Sequence, residues 1–166
     1  MPTVLHVGCG RTRLPDWLDG YAEVRLDIDP NAEPDVCASM VDMGEIGPFD
    51  AIYTTHTLEH IYPHEVPVAL GEFKRVLKPG GFAVIVVPDL EGVEATDEVL
   101  YDSPAGPVCG LDMIYGMSSL VAINPHMAHR CGFTAKTLRE VLEAAGFAKV
   151  TTERSGAFNL IGGAVA

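Results

Sequence analysis

A hydrophobic run that closes on Gly-x-Gly, VLHVGCG at residues 4–10, is followed by a second run that closes on acids, LDID at residues 26–29. This pairing restricts the fold more than any other feature of the chain. It is the form taken by a strand, a tight turn and a neighbouring strand built around a nucleoside cofactor. Gly8 and Gly10 let the backbone turn sharply after the first strand and keep a Cβ away from a ligand lying against it. Asp27, or Asp29, then stands at the tip of the adjacent strand as an acceptor for two ribose hydroxyls. Glycines alone suit any strand-to-helix turn, and it is the acid about 20 residues on that gives them meaning.

Beyond the turn, apolar runs rich in Val and Ile alternate with helical stretches, the pattern of a parallel sheet covered on both faces. Strands are expected at residues 3–8, 22–28, 35–38, 49–54 and 82–87. A helix is expected at 64–77, with Pro63 and Pro67 tolerable at its start and the breaker Lys78-Pro79-Gly80-Gly81 at its end. Another is expected at 135–145, with Thr134 as N-cap and Gly146 at its C-terminus. AKVTTERS and FNLIGGAVA read as two closing strands, a hairpin across Gly156. Residues 90–132, with Pro104, Pro107 and Pro125, read as a long irregular segment, and a connection of that length usually builds or covers a site. Residues 1–166 are expected to form a single domain.

Composition excludes several classes of function. Apolar residues at 48% and charged ones at 20% fit a packed protein rather than a disordered one. A net charge of -12, with the basic residues scattered in sequence, makes nucleic acid an unexpected partner. Cys9, Cys37, Cys109 and Cys131 form no CxxC pair, so neither a disulfide framework nor a zinc site is indicated and reduced thiols in a cytoplasm are expected. No signal peptide and no apolar run approaching 18 residues is evident, so no membrane insertion is expected. No feature of the sequence bears on oligomeric state.

The succession HVGCG, LDID, MVDM, FDAIYTTHTLEHI, RVLKPGG, FAVIVVPD and GFTAKTLREVLEAAGF resembles the class I S-adenosylmethionine-dependent methyltransferases, in particular the methyltransferase type 11 group. The resemblance spans nearly the whole chain and implies a Rossmann-like, seven-stranded, mostly parallel sheet with helices on both faces and the last strand antiparallel. It implies S-adenosylmethionine as cofactor, lying across the carboxyl ends of the first strands. Carried over position by position, it puts Val7, Gly8, Cys9 and Gly10 under the amino acid part of the cofactor. Asp27 becomes the ribose acid and Ile28 its neighbour beside the adenine, while Asp42 and Met43 fall at the adenine amino group. Thr55 and His56 follow near the methionine moiety, and Leu58, Glu59 and His60 make the LEH turn. Each has a plainer reading: Asp42 as a helix cap, Asp27 and Asp29 as a solvated strand end, Leu58 as core. Thr12 and Arg13 stand where many members carry a third glycine, and only residues 14–19 are available for a first helix, which is therefore shortened.

The chemistry implied is direct displacement at a sulfonium methyl, in which positioning and desolvation supply much of the acceleration. A base is needed only for a hydroxyl or ammonium acceptor. The candidates are His126 and His129 in the long segment, Asp89 after the fifth strand, and Tyr115 as an orienting hydroxyl, with structural roles as the plainer reading for the histidines. His56, His60 and His64 recur every four residues, but Pro63 breaks the shared helical face that would make them metal ligands, so no metal is expected. Met113, Met117 and Met127 suit core packing, or the lining of an apolar acceptor pocket. A small-molecule acceptor is expected. Two rivals stand beside this reading. A nicotinamide dehydrogenase shares the turn and the acid but needs a glycine where Arg13 stands, and a methyltransferase-fold module that holds the cofactor weakly would act through a protein partner.

Overall fold

The computed structural model describes residues 1–156 and 158–166. Five strands run in parallel: β1 (Thr3–Val7), β2 (Ala22–Asp27), β3 (Val36–Cys37), β4 (Phe49–Thr55) and, after helix α1 (Val66–Val76), β5 (Leu77–Pro88). The long segment then supplies a hairpin, β6 (Val99–Ser103) and β7 (Gly106–Cys109), and two short helices, α2 (Gly110–Tyr115) and α3 (Ser118–Ile123). Helix α4 (Ala135–Ala144) leads into the closing pair β8 (Ala148–Ser155) and β9 (Asn159–Val165). The main sheet has the order β3-β2-β1-β4-β5-β9-β8, with β9 antiparallel to both of its neighbours. Ala157, in the expected hairpin turn, lies outside the described residues.

Strand β1 is central, and its Val4, Leu5, His6 and Val7 are all fully buried, as a strand covered from both sides requires. In α1 the buried positions Val66, Ala69, Leu70, Phe73 and Val76 follow the three-and-four spacing of one helical face. In α4 the Thr134 hydroxyl accepts from the Thr137 amide and Thr137 answers back to the Thr134 amide, which closes the N-terminus reciprocally. Leu138 and Leu142 then turn inward beside Phe73, Ile85 and Leu160 to form the main core.

The expected shortening of the first helix is met, and two other expectations change. Residues 14–19 provide only a single 3-10 turn, Asp16–Leu18, because too few residues separate β1 from β2 for more. Among the described residues the α-helices α1 and α4 both pack into the main core, on one face of the sheet. The other face carries a small cluster of Val4, Leu18 and Ala51, with Leu14, Tyr21, Tyr53 and Phe82 around it, and leaves Trp17 half exposed. The segment 90–132 is not irregular throughout, since the hairpin and α2–α3 satisfy much of its backbone. Periodicity missed these elements because each is at most six residues long.

Candidate active site

The strand order reverses between β1 and β4, and a cavity of about 470 Å³ opens at the carboxyl ends of β1, β2 and β4. This is where open parallel sheets take their ligands. Val7, Gly8, Cys9 and Gly10 form one wall. The Gly8 and Cys9 amides both donate to the Leu26 carbonyl, at 2.8 and 3.2 Å, which folds the turn onto β2. Gly8 has φ +64, and a Cβ there would lie 2.1 Å from Thr57 Cγ2, so the packing of Thr57 requires this glycine. Gly10 differs: at φ +47, a Cβ would meet nothing within 4 Å, so its open side is left to the cavity.

No third glycine or long helix holds this loop. Arg25 does so instead, its guanidinium donating to the Gly10 carbonyl at 2.7 Å and to the Thr12 carbonyl at 3.0 Å. Sequence reasoning gave Arg25 no role, and its position opposite the loop on β2 was the available signal. Asp27 reaches across from the end of β2, accepting from the Gly10 amide at 2.8 Å through Oδ2 and from the Asp29 amide at 2.9 Å through Oδ1. Two of its four lone-pair directions remain open. Asp29 also lines the cavity, but it caps the turn Pro30–Ala32 by accepting from Asn31, which holds its carboxyl below the usual range. Ile28, Thr55 and His56 line the cavity as well.

Asp42 and Met43 do not. Strand β3 is only two residues long, and the chain after it turns back through the bridge between Ser39 and Asp42. Asp42 accepts from the Gly44 amide, Met43 is buried in the core, and Ala38, Ser39 and Met40 face the cavity in their place. Leu58 is core too, with 1% of its surface exposed.

A second cavity of about 480 Å³ adjoins the first and shares His56, His60 and Met127 with it. Its walls come from the 90–132 segment, with Tyr101, Val108, Met113, Met117 and Leu120 supplying apolar surface and Asn159 a polar edge. His129 lines this cavity and His126 the first. The other two base candidates are elsewhere. Asp89 is buried against Arg154, whose Nε donates to it at 2.6 Å, and Tyr115 is 64% exposed and lines neither cavity. Asp89 follows the last parallel strand directly, where the ion pair with Arg154 of β8 holds it. Tyr115 ends α2 on the solvent side.

At the partition between the cavities, His56 adopts φ +50 and holds Asn159 Oδ1 at 3.0 Å through Nε2, with Glu59 Oε1 3.4 Å from Nδ1. Desolvation in this concave wall lowers the His56 pKa, but the nearby Glu59 carboxylate, with the contact to Asn159, outweighs it and raises the value overall. Burial lowers the pKa of His129 despite the nearby Glu59. Burial raises the pKa of both Cys9 and Cys131, the latter to about 12 with Glu59 adding to the effect, so neither thiol is a nucleophile at neutral pH.

Residues 2–152 match the methyltransferase domain family. No curated protein matches the sequence. Among solved structures, the chain superposes on the 1,6-didemethyltoxoflavin-N1-methyltransferase of Burkholderia thailandensis, crystallised with 1,6-didemethyltoxoflavin and S-adenosylhomocysteine. The TM-score is 0.65 at 22% identity, over 99% of this chain and 70% of that one. An S-adenosylmethionine-dependent methyltransferase of Mesorhizobium loti gives 0.70 at 16% identity, over 99% and 91%. Human N-acetylserotonin methyltransferase, in complex with S-adenosylmethionine, gives 0.64 at 14% identity, over 99% and 47%. The fold is the class I methyltransferase fold.

Proposed function

Because the chain belongs to the methyltransferase domain family, we propose that it transfers a methyl group from S-adenosylmethionine to a small-molecule acceptor held in the second cavity. The observation that carries this reading is the pair of adjoining cavities. One is lined by the glycine turn and the β2 acids and the other is largely apolar, and His56 and His60 form their common wall. The first cavity fits the cofactor in size, since small-molecule sites run from about 300 to 1,000 Å³. It fits in chemistry too. Asp27 has free lone pairs for ribose hydroxyls, Ile28, Ala38 and Met40 offer apolar surface for the adenine, and Gly10 leaves room for close backbone approach. Arg130, which also lines this cavity with its guanidinium 4.9 Å from the Tyr62 ring centroid, is suited to the carboxylate of the methionine moiety.

When bound, the cofactor supplies an electrophilic methyl on a positively charged sulfur. The work left to the chain is to bind, align and exclude water. Asp27 would hold the ribose and the turn at 7–10 the amino acid part, leaving the partition at His56 for the reacting end. The apolar wall of Met113, Met117, Val108 and Leu120 would keep a bound acceptor desolvated. Of the base candidates, His129 faces the acceptor cavity. His126 lies on the cofactor side. Equilibrium ultrafiltration with S-adenosylhomocysteine and NADH in competition tests the proposal. Retention of S-adenosylhomocysteine, undiminished by excess NADH, is expected, and preferential retention of NADH would favour the dehydrogenase reading.

A further inference from the structure

Glu59 is 1% exposed, and neither of its carboxylate oxygens has a hydrogen-bond partner among the described residues. His56, 3.4 Å away, is an ion-pair neighbour without hydrogen-bond geometry. An ionised carboxylate buried in this way costs several kcal/mol unless something positive joins it. Besides His56, two further imidazoles stand near it. Glu59, His60 and His129 each offer a ligand atom, and these atoms lie within 4.8 Å of one another.

The arrangement is built by the backbone. The Arg130 and Cys131 amides both donate to the Glu59 carbonyl, at 2.8 and 3.2 Å, which lays residues 128–131 against the LEH turn. His129 Nδ1 donates to the Met113 carbonyl at 2.8 Å, which fixes the tautomer and leaves the Nε2 lone pair free. His60 has a carbonyl 3.1 Å from each ring nitrogen, Ala128 at Nδ1 and His56 at Nε2. A neutral imidazole has one N–H and can satisfy only one of them, so its other lone pair faces no donor. With neutral imidazoles the cluster holds more electron pairs than donors, and His56 is the ion-pair neighbour that Glu59 has among the described residues. Imidazoles whose second nitrogen donates to a backbone carbonyl are the usual form of metal-ligating histidine.

We propose that Glu59, His60 and His129 bind one divalent transition-metal ion at the partition between the two cavities, with its remaining coordination positions open to the acceptor. Two imidazoles and one carboxylate form a ligand set for zinc and its neighbours, and three protein ligands with an open position are the pattern of catalytic rather than structural sites. Ligands about 2.0–2.2 Å from such an ion stand about 3.3–3.5 Å apart, so loading draws the three side chains inward by no more than about 1.5 Å. The acceptor class follows, and this step rests on the methyl-transfer reading: a molecule with a hydroxyl oxygen able to join the ion. Coordination lowers the pKa of that hydroxyl, and its proton leaves to water. An oxygen electron pair then bonds to the methyl carbon while the carbon–sulfur bond breaks and leaves its pair on sulfur.

The test begins with protein stripped by a chelator and titrated with Co²⁺. One equivalent should bind and give visible d–d absorption, and Zn²⁺ should displace it. Glu59→Gln and His129→Gln should weaken binding by more than about 100-fold, beyond the loss typical of outer-shell changes. His64→Ala, which alters a histidine stacked on Tyr62 outside both cavities, should bind normally. Zn²⁺ should raise the Tm of the wild type and not that of Glu59→Gln. Metal-free Glu59→Gln should be at least as stable as metal-free wild type, because the buried charge is gone. Absence of saturable binding at one equivalent, or affinity unchanged in both variants, overturns the proposal. S-adenosylhomocysteine binding measured on the stripped protein reports separately on the cofactor site, so failure of the metal site and failure of the methyl-transfer reading give different results.

Discussion

Replacing Asp27 with alanine isolates the contribution of the β2 acid. In the free protein the carboxylate joins two loops, accepting from the Gly10 amide at 2.8 Å and the Asp29 amide at 2.9 Å. With cofactor bound it would also accept from the ribose hydroxyls. The alanine variant leaves those hydroxyls without an acceptor in a partly enclosed site and lets the glycine turn drift from β2. An unsatisfied buried polar group costs about 1 to 3 kcal/mol, equivalent to an increase in Kd of about 5-fold to about 150-fold. Calorimetry with S-adenosylhomocysteine reads this change directly. The Tm of the variant, lowered by the loss of the two amide contacts, shows whether the protein is still folded at the titration temperature. Asp29→Ala serves as the comparison, with a smaller effect expected because the Asp29 carboxylate is already engaged by Asn31. An unchanged Kd in folded Asp27→Ala, with a loss in Asp29→Ala, would refute the argument and move the ribose site to Asp29.

The two glycines of the turn should separate by phenotype. Gly10→Asn, a residue tolerated at positive φ, should leave far-UV circular dichroism native and weaken S-adenosylhomocysteine binding by about tenfold or more, and retained affinity would remove this turn from the site. Gly8→Ala should lower the Tm instead, since its Cβ falls onto Thr57, and a wild-type melting curve would contradict the packing. His6 gives a pH signature. Burial lowers its pKa below 6.5 against the opposing hydrogen bond of Glu23, so the unfolded chain binds the proton more readily. Its contribution to stability is therefore present above about pH 6.5 and is lost as the pH falls toward the folded pKa. The Tm of His6→Gln should fall less than that of the wild type between pH 7 and pH 5, and parallel curves would show that His6 does not contribute. Hydrogen exchange should slow at 8–10, 27–29 and 124–130 when S-adenosylhomocysteine binds, because Asn124, His126, Met127 and Arg130 wall the first cavity. Protection that stops at the turn and β2 would show that the 90–132 segment does not close over the cofactor.

Local turn chemistry made one wall of the first cavity readable in advance. Gly8, Gly10 and Asp27 announce themselves because a reversal after a strand needs positive φ and an acid at the next strand end stands out. The long helices were readable for a similar reason, each having a periodic buried face and a definite stop. Asp42 was misplaced because it was carried over by family position, and the two-residue β3 sends the chain into a local bridge that brings Ser39 and Met40 to the cavity. Glu59 was visible only as a letter of the LEH turn. What isolates it is its union with His129, about 70 residues away, through backbone contacts that no local pattern encodes. The histidine repeat at 56, 60 and 64 lies near this place, but the break at Pro63 led away from a metal reading. The second cavity was equally hidden, since the hairpin and short helices that wall it are too brief to leave a periodic trace.

A crystal structure with S-adenosylhomocysteine tests the account most directly. The account predicts the ribose hydroxyls on Asp27, the adenine against Ile28 and Met40, and the sulfur at the partition beside His56, open to the cavity walled by Met113 and Met117. Ligand density outside the first cavity, or a sulfur turned away from His56 and the second cavity, would contradict it.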